Sequence, residues 1–289
     1  MKPKPVGAAG SAAVRDLISG AVRPAKVLGA FRTALYLRLH GGEVIAVLSQ
    51  DAVRLPIGLV LPTSGTAGPL TRLDGEILVG SSVVRIGDWS IRISRLVSAR
   101  APIGLAPNDA AIERASGRLK SIGFTEHDPG LIDALARDPQ CRQVAADLAP
   151  RLLGAGSGLT PSGDDLLAGF LVGAWSCGLA ADPLRAVVLA AAPPRTTDLS
   201  AALLRCACRG ESIPQVSAML SALSGLSTQN AQLDDALAEL IRVGHTSGLA
   251  LATGVVAAAK AAVRRHRQNA ATLSPAAAGE CSQRDGSRR

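Results

Sequence analysis

Aromatic side chains are scarce. Phe31, Phe124, Phe170, Trp89, Trp175 and Tyr36 make up 2% of 289 residues. The core must therefore be built from Ala, Leu, Val and Ile, and the 47% hydrophobic fraction is large enough for it. So few rings argue against a protein that stacks bases on aromatic platforms. Charged residues are also sparse, at 19%, which argues against wholesale disorder. The five cysteines are odd in number and irregularly spaced, so a disulfide scaffold is not expected and a reducing compartment is. Cys206 and Cys208 would point ~200° apart on a helix, with no His beside them, which is poor geometry for zinc. The longest apolar run, 166–181, falls short of the ~20 residues that span a bilayer. Residues 1–20 hold no continuous apolar segment. A cytoplasmic setting without a membrane is the expectation.

The net charge of +8 sits mostly at the two ends. Lys2 and Lys4 lie at one end, and six Arg face only Glu280 and Asp285 from Arg264 onward, leaving the body near +2. Such tails read as solvated ends, so no nucleic-acid partner is expected.

Along the chain, the first hundred residues read as strands. Leu35, Leu37 and Leu39 alternate with smaller or polar neighbours, Gly41-Gly42 makes a turn, and 43–48 forms the return strand of a hairpin. Further strands are expected at 76–79, 82–86 and 89–96, with a short leading helix near 11–20. Short strands with Gly and Pro turns point to a small antiparallel sheet or barrel. After 101–107 the pattern turns helical. Asn108 caps one helix, and Asp128-Pro129 and Asp138-Pro139 open two more. Later helices are expected at 164–180, 183–192, 198–209, 213–223, 231–243 and 247–264. The predicted class is α+β: a β-rich, barrel-like region over 1–103, a helical domain over 104–264 and a disordered basic tail over 265–289.

Three segments hold candidate chemistry. In the first, Gly154, Gly156 and Gly158 expose backbone N–H groups, Thr160 and Ser162 supply hydroxyls, and Gly163, Asp164 and Asp165 lead into an apolar helix. Ser162 with Asp165 fits a capping box, and acids in a first helical turn are favoured by the helix dipole. The capping box leaves the glycines and the paired acids unexplained, which points to a ligand loop. A phosphate would be repelled by the acids unless a cation such as Mg²⁺ bridged them, whereas an amide or carbamoyl group would not. No Gly-Lys-Ser/Thr follows, so this is not a Walker-type loop. In the second segment Gly244 can end one helix and Thr246 or Ser247 can cap the next, with His245 the best acid–base candidate of four histidines. In the third, Arg195 can meet an anion beside Thr197 and Ser200. Gly169-x-x-x-Gly173 and Gly244-x-x-x-Gly248, with Gly254, let their helices approach closely. Their N-terminal ends are expected to converge on one polar pocket.

The runs at 156–169 (GSGLTPSGDDLLAG), 196–210 (TTDLSAALLRCACRG) and 244–254 (GHTSGLALATG) resemble the three blocks of the AllH family, associated with the oxamate carbamoyltransferase of allantoin catabolism. The resemblance covers mostly the helical half. It implies transfer of a carbamoyl group between oxamate nitrogen and phosphate, with carbamoyl phosphate and an oxamate-like amide as small-molecule ligands. It also implies FdrA-like and AllG-like partner subunits. The Ser-Thr-Arg-Thr and His-Pro-x-x motifs of aspartate and ornithine carbamoyltransferases are absent from the sequence. Such a transfer needs an anion clamp, donors to the carbamoyl oxygen and a base. The expected assignment gives His245, Asp164 and Asp165 the catalytic roles, with Asp164 and Asp165 also holding Mg²⁺. Gly156, Gly158, Thr160, Ser162, Gly163, Arg195, Thr197, Ser200, Thr246 and Ser247 bind substrate, and no organic cofactor is expected. The alternatives are a non-catalytic assembly subunit and a Mg²⁺-dependent phosphotransferase.

Overall fold

A computed structural model describes residues 4–64, 70, 75–123, 129–225 and 230–273. It has an N-terminal barrel followed by helices, the α+β class expected from the sequence. The elements run β1 (Lys4–Gly10), α1 (Ala12–Ser19), β2 (Arg23–Ala30), β3 (Ala34–Leu39), β4 (Val44–Leu48), β5 (Gly58–Val60), β6 (Ile77–Gly80), β7 (Val83–Ile86) and β8 (Trp89–Leu96). Ten helices are described in all: α2 (Asp109–Ile122), α3 (Pro129–Arg137), α4 (Arg142–Leu152), α5 (Ser162–Ser176), α6 (Asp182–Arg195), α7 (Asp198–Ala207), α8 (Pro214–Leu223), α9 (Asn230–Ile241) and α10 (Ser247–Leu273) follow the barrel.

The barrel closes in the order β1-β5-β4-β3-β2-β6-β7-β8. It is mixed rather than purely antiparallel, because β1 pairs β8 and β4 pairs β5 in parallel. Period-two alternation decides what fills it. Leu35, Leu37 and Leu39 of β3 point inward with Ile45 and Val47 of β4, and Val14 and Ile18 of α1 join the same cluster. β4 is buried along its whole length. Its other face, with Val44, Ala46 and Leu48, packs with Ala34 against Leu199, Ala202 and Cys206 of α7. That second face explains why its sequence is a continuous apolar run. Strand β1 escapes sequence reading because it is built of small residues. A Cβ at Gly7 would stand 2.8 Å from Ser94 Oγ on the parallel neighbour β8, so Ser94 would have to shift to admit one.

The helical part is organised on α5 and α10. Both are rich in Ala and Gly, and their backbones nearly touch. A Cβ at Gly169 would lie 2.2 Å from the Leu251 carbonyl oxygen, and one at Gly254 would lie 2.1 Å from that of Leu166. Gly169, Gly173 and Gly254 thus mark the contact the sequence suggested, whereas Gly248 abuts the Leu240 carbonyl oxygen of α9 instead. By length and hydropathy α10 could cross a membrane, but 67% of its apolar window is buried inside the protein.

Three expectations need correction. Asp138-Pro139 does not open a helix. It heads a turn closed by the Cys141 N–H onto the Asp138 carbonyl, and α4 starts at Arg142. Helix α10 continues past residue 264 to Leu273, and Arg267 pairs with Asp109 of α2 at 2.7 Å. Residues 265–273 are therefore helix rather than tail, and 274–289 lie outside the described residues, as do Phe124 and Asp128. Ser162 does not cap α5. Pro161 occupies the N-cap place, its carbonyl accepting from the N–H groups of Asp164 and Asp165.

Candidate active site

The glycine-rich loop after α4 folds back onto the start of α5. Gly154, Gly156 and Gly158 take φ values of +75°, +111° and +90°, which L side chains adopt only with strain. A Cβ at Gly163 would stand 2.1 Å from the Leu152 carbonyl oxygen, so α5 begins pressed against the end of α4.

The two adjacent acids have separate environments. Asp164 is 1% exposed and surrounded by donors. Its Oδ1 accepts from the Gly154 N–H at 2.9 Å, and its Oδ2 accepts from the Ser200 hydroxyl at 2.7 Å and from the Thr196 hydroxyl. This carboxylate ties the loop, α5 and the start of α7 together. Thr197 adds to the tie: it caps α7 through the Ser200 N–H and donates its hydroxyl to the Leu159 carbonyl.

Asp165, one residue on, is 7% exposed, and its Oδ2 is buried with no hydrogen-bond partner. Burial pushes its carboxyl up to about 7. The Ser247 hydroxyl works against the rise, the neighbouring Asp164 adds to it, and the Thr160 hydroxyl opposes it. Thr160 and Ser247 are themselves joined, oxygen to oxygen, at 3.0 Å.

Asp165, Thr160 and Ser247 line a cavity of about 270 Å³. Its far wall comes from the barrel and the loop after β4, including Thr33, Tyr36, Val53 and Leu55. Burial also raises the Tyr36 hydroxyl above its ordinary value. Leu199 and Leu203 of α7 contribute apolar wall. Glu211 is the other acid on the wall, and it is paired with Arg209 at 2.8 Å. No Lys or Arg is among the described residues lining this cavity.

The expected site residues thus divide. Thr160, Asp165 and Ser247 meet at the cavity. Asp164, Thr197 and Ser200 form the buried tie beside it, and Ser162 and Gly163 are buried in the first turn of α5. Gly156, Gly158, Arg195 and His245 are exposed and do not line the cavity. Arg195 reaches toward the Pro150 carbonyl at 3.5 Å. Thr246 takes the N-cap place of α10, its carbonyl accepting from the Ala250 N–H. The carboxylates do not present two free faces to a cation, since Asp164 already receives three donors. Among the described residues no group of three or more His, Cys, Asp or Glu is arranged to hold a metal. Cys206 and Cys208 belong to different clusters of the core, consistent with opposite helix faces, and burial raises their thiols to about 12 and about 11. Sequence reasoning missed Thr33 and Tyr36. Tyr36, the chain's one tyrosine, stands at an outward position of an alternating strand, the only local sign of its role.

Asp165, the hydroxyls of Thr160 and Ser247 and apolar walls thus meet in one small enclosure. The family model described as oxamate carbamoyltransferase subunit AllH matches residues 152–259, a stretch holding Thr160, Asp165 and Ser247. The resemblance carried by the three sequence blocks is therefore shown over residues 152–259. No curated protein and no solved structure matches the chain.

Proposed function

We propose that this chain is a subunit of a carbamoyltransferase and that its cavity receives the carbamoyl or amide group being transferred. The observation that carries the reading is Asp165, which lines that cavity inside the matched segment and whose buried Oδ2 has no hydrogen-bond partner. A primary amide offers N–H donors and a carbonyl acceptor. A carboxyl group that titrates near 7 can accept from the first when ionised and donate to the second when protonated.

The reaction runs on this chain's residues as follows. The amide nitrogen of an oxamate-like molecule attacks the carbamoyl carbon of carbamoyl phosphate. The new N–C bond forms, the C–O bond to phosphate breaks, and phosphate leaves with the bonding electron pair. Asp165 as carboxylate takes the proton that the nitrogen sheds and returns it to solvent or to phosphate. In the reverse direction the protonated carboxyl gives it back. Thr160 and Ser247 fix the orientation of the carboxyl, and the apolar walls exclude water that would hydrolyse the donor. No step is assigned to Mg²⁺, because Asp164 is engaged by protein donors. Partners of the FdrA and AllG type, a place in allantoin nitrogen breakdown and a cytoplasmic setting belong to the same proposal.

The test is turnover of the complex purified with its partner subunits, measured as carbamoyl phosphate formed from oxalurate and phosphate. Asp165→Asn is expected to lower kcat by about 10²–10⁴-fold with the complex intact. Wild-type turnover in Asp165→Asn would remove Asp165 from the chemistry. Loss in His245→Ala alone would move the acid–base role to that exposed histidine. An intact, inactive complex in which neither variant nor wild type binds substrate would favour an assembly role.

A further inference from the structure

Among the described residues the Asp165 cavity has no Lys or Arg on its wall, yet phosphate and oxamate are anions. A second cavity, of about 290 Å³, lies beyond part of that wall, and Leu55 and Ser212 line both. Its own lining includes Arg54, Arg95 and Arg100 and, among the described residues, no carboxylate. These arginines come from three separate pieces of chain: the loop between β4 and β5, strand β8, and the segment leading to the helices. Neutral donors accompany them, among them Ser98 and Ser217.

Among the described residues, no ion pair engages Arg54, Arg95 or Arg100. Arg100 is also held in place. Its N–H donates to Ser98 Oγ at 3.2 Å, its backbone bridges to Glu211, and its guanidinium stands 5.7 Å from the Trp175 ring centre. Three arginines and no carboxylate among the described residues lining one cleft leave it positively charged, and the planar fork of a guanidinium matches the oxygens of a phosphate.

We infer that this cleft is an anion site for a phosphate group, built by Arg54, Arg95 and Arg100. The claim of phosphate binding stands on the cleft alone.

Calorimetry of the full chain tests it, with inorganic phosphate and phenyl phosphate titrated at constant ionic strength set by chloride. Saturable phosphate binding is expected, weakened at least about tenfold by Arg95→Ala or Arg54→Ala and partly restored by Arg95→Lys. All three positions are exposed, so the variants should melt as wild type does. Tighter binding of inorganic phosphate identifies the free anion as occupant, and tighter binding of the ester identifies a phosphate carried on a larger molecule. Each supports the site. No binding above the chloride background, or variants that bind as wild type, would overturn it. Asp165→Asn separates the two claims. If that variant binds phosphate normally and turns over normally, the anion site stands and the catalytic reading falls.

Discussion

Thr160 and Ser247 are 87 residues apart in sequence, yet their hydroxyl oxygens stand 3.0 Å from each other beside Asp165. This pair joins the glycine-rich loop to the first turn of α10. Both hydroxyls hold the Asp165 carboxyl lower than burial alone would. Ser247→Ala is therefore expected to raise its pKa above 7 by about one unit, and Thr160→Val by less. Carbon-detected NMR titration of the Asp165 carboxyl would measure both shifts. A fall in either variant would contradict the arrangement.

Stability should depend on pH through the same group. In the unfolded chain Asp165 titrates at 3.8, and in the folded protein at about 7. Between those values the folded state binds more protons, so the contribution of Asp165 is full below about 3.8 and is lost as pH rises through 7. Roughly three units at about 1.36 kcal/mol each gives a loss on the order of 4 kcal/mol. Urea unfolding at pH 5 and pH 8 should show wild type losing stability relative to Asp165→Asn across that interval. Parallel pH curves for the two proteins would refute the buried-acid assignment.

Asp164 behaves differently, because its role is to satisfy donors. Asp164→Ala leaves the Gly154 N–H and the hydroxyls of Thr196 and Ser200 without their acceptor. A loss of about 3 kcal/mol or more is expected, seen as a lower denaturant midpoint. Asp164→Asn keeps one acceptor oxygen and should lose less.

Two glycine substitutions offer an internal contrast. A methyl at Gly254 would meet the Leu166 carbonyl oxygen at 2.1 Å and force α5 and α10 apart. Gly254→Ala should cost about 1–3 kcal/mol or more, since backbone rather than a side-chain tip must move. Gly117 lies in α2 with nothing within 4 Å of an added Cβ. Gly117→Ala should stabilise by about 0.5–1 kcal/mol through helix propensity. Thermal melts of the pair would read both signs.

Local chemistry made some of this legible in advance. The hairpin showed in Leu35, Leu37 and Leu39 with Gly41-Gly42, and α2 showed in Asn108, which accepts from the N–H groups of Ala110 and Ala111. Gly169, Gly173 and Gly254 announced the α5–α10 contact because close backbone approach admits few other residues. Strand β2 did not show, since Pro24 and Gly29 break its pattern and its order comes from pairing with β3 and β6. The parallel closure of β1 on β8 joins distant segments and leaves no local trace. The paired acids looked equivalent in sequence. Which one is satisfied and which is left poised depends on Ser200, Thr196 and Ser247, brought there by tertiary folding.

Helix α7 is apolar on two sides. Leu199, Ala202 and Cys206 face the barrel, while Ala201, Leu204 and Cys208 face the helical core. It is shared structure, like a common wall between two rooms, and the cavity over Asp165 opens along it. Cutting the chain between barrel and helices would wet one side of that wall and strip the barrel of its cover over Val44, Ala46 and Leu48. The gene therefore cannot be divided there without sacrificing both solubility and the enclosure around the acid, and the two parts should melt in a single cooperative transition.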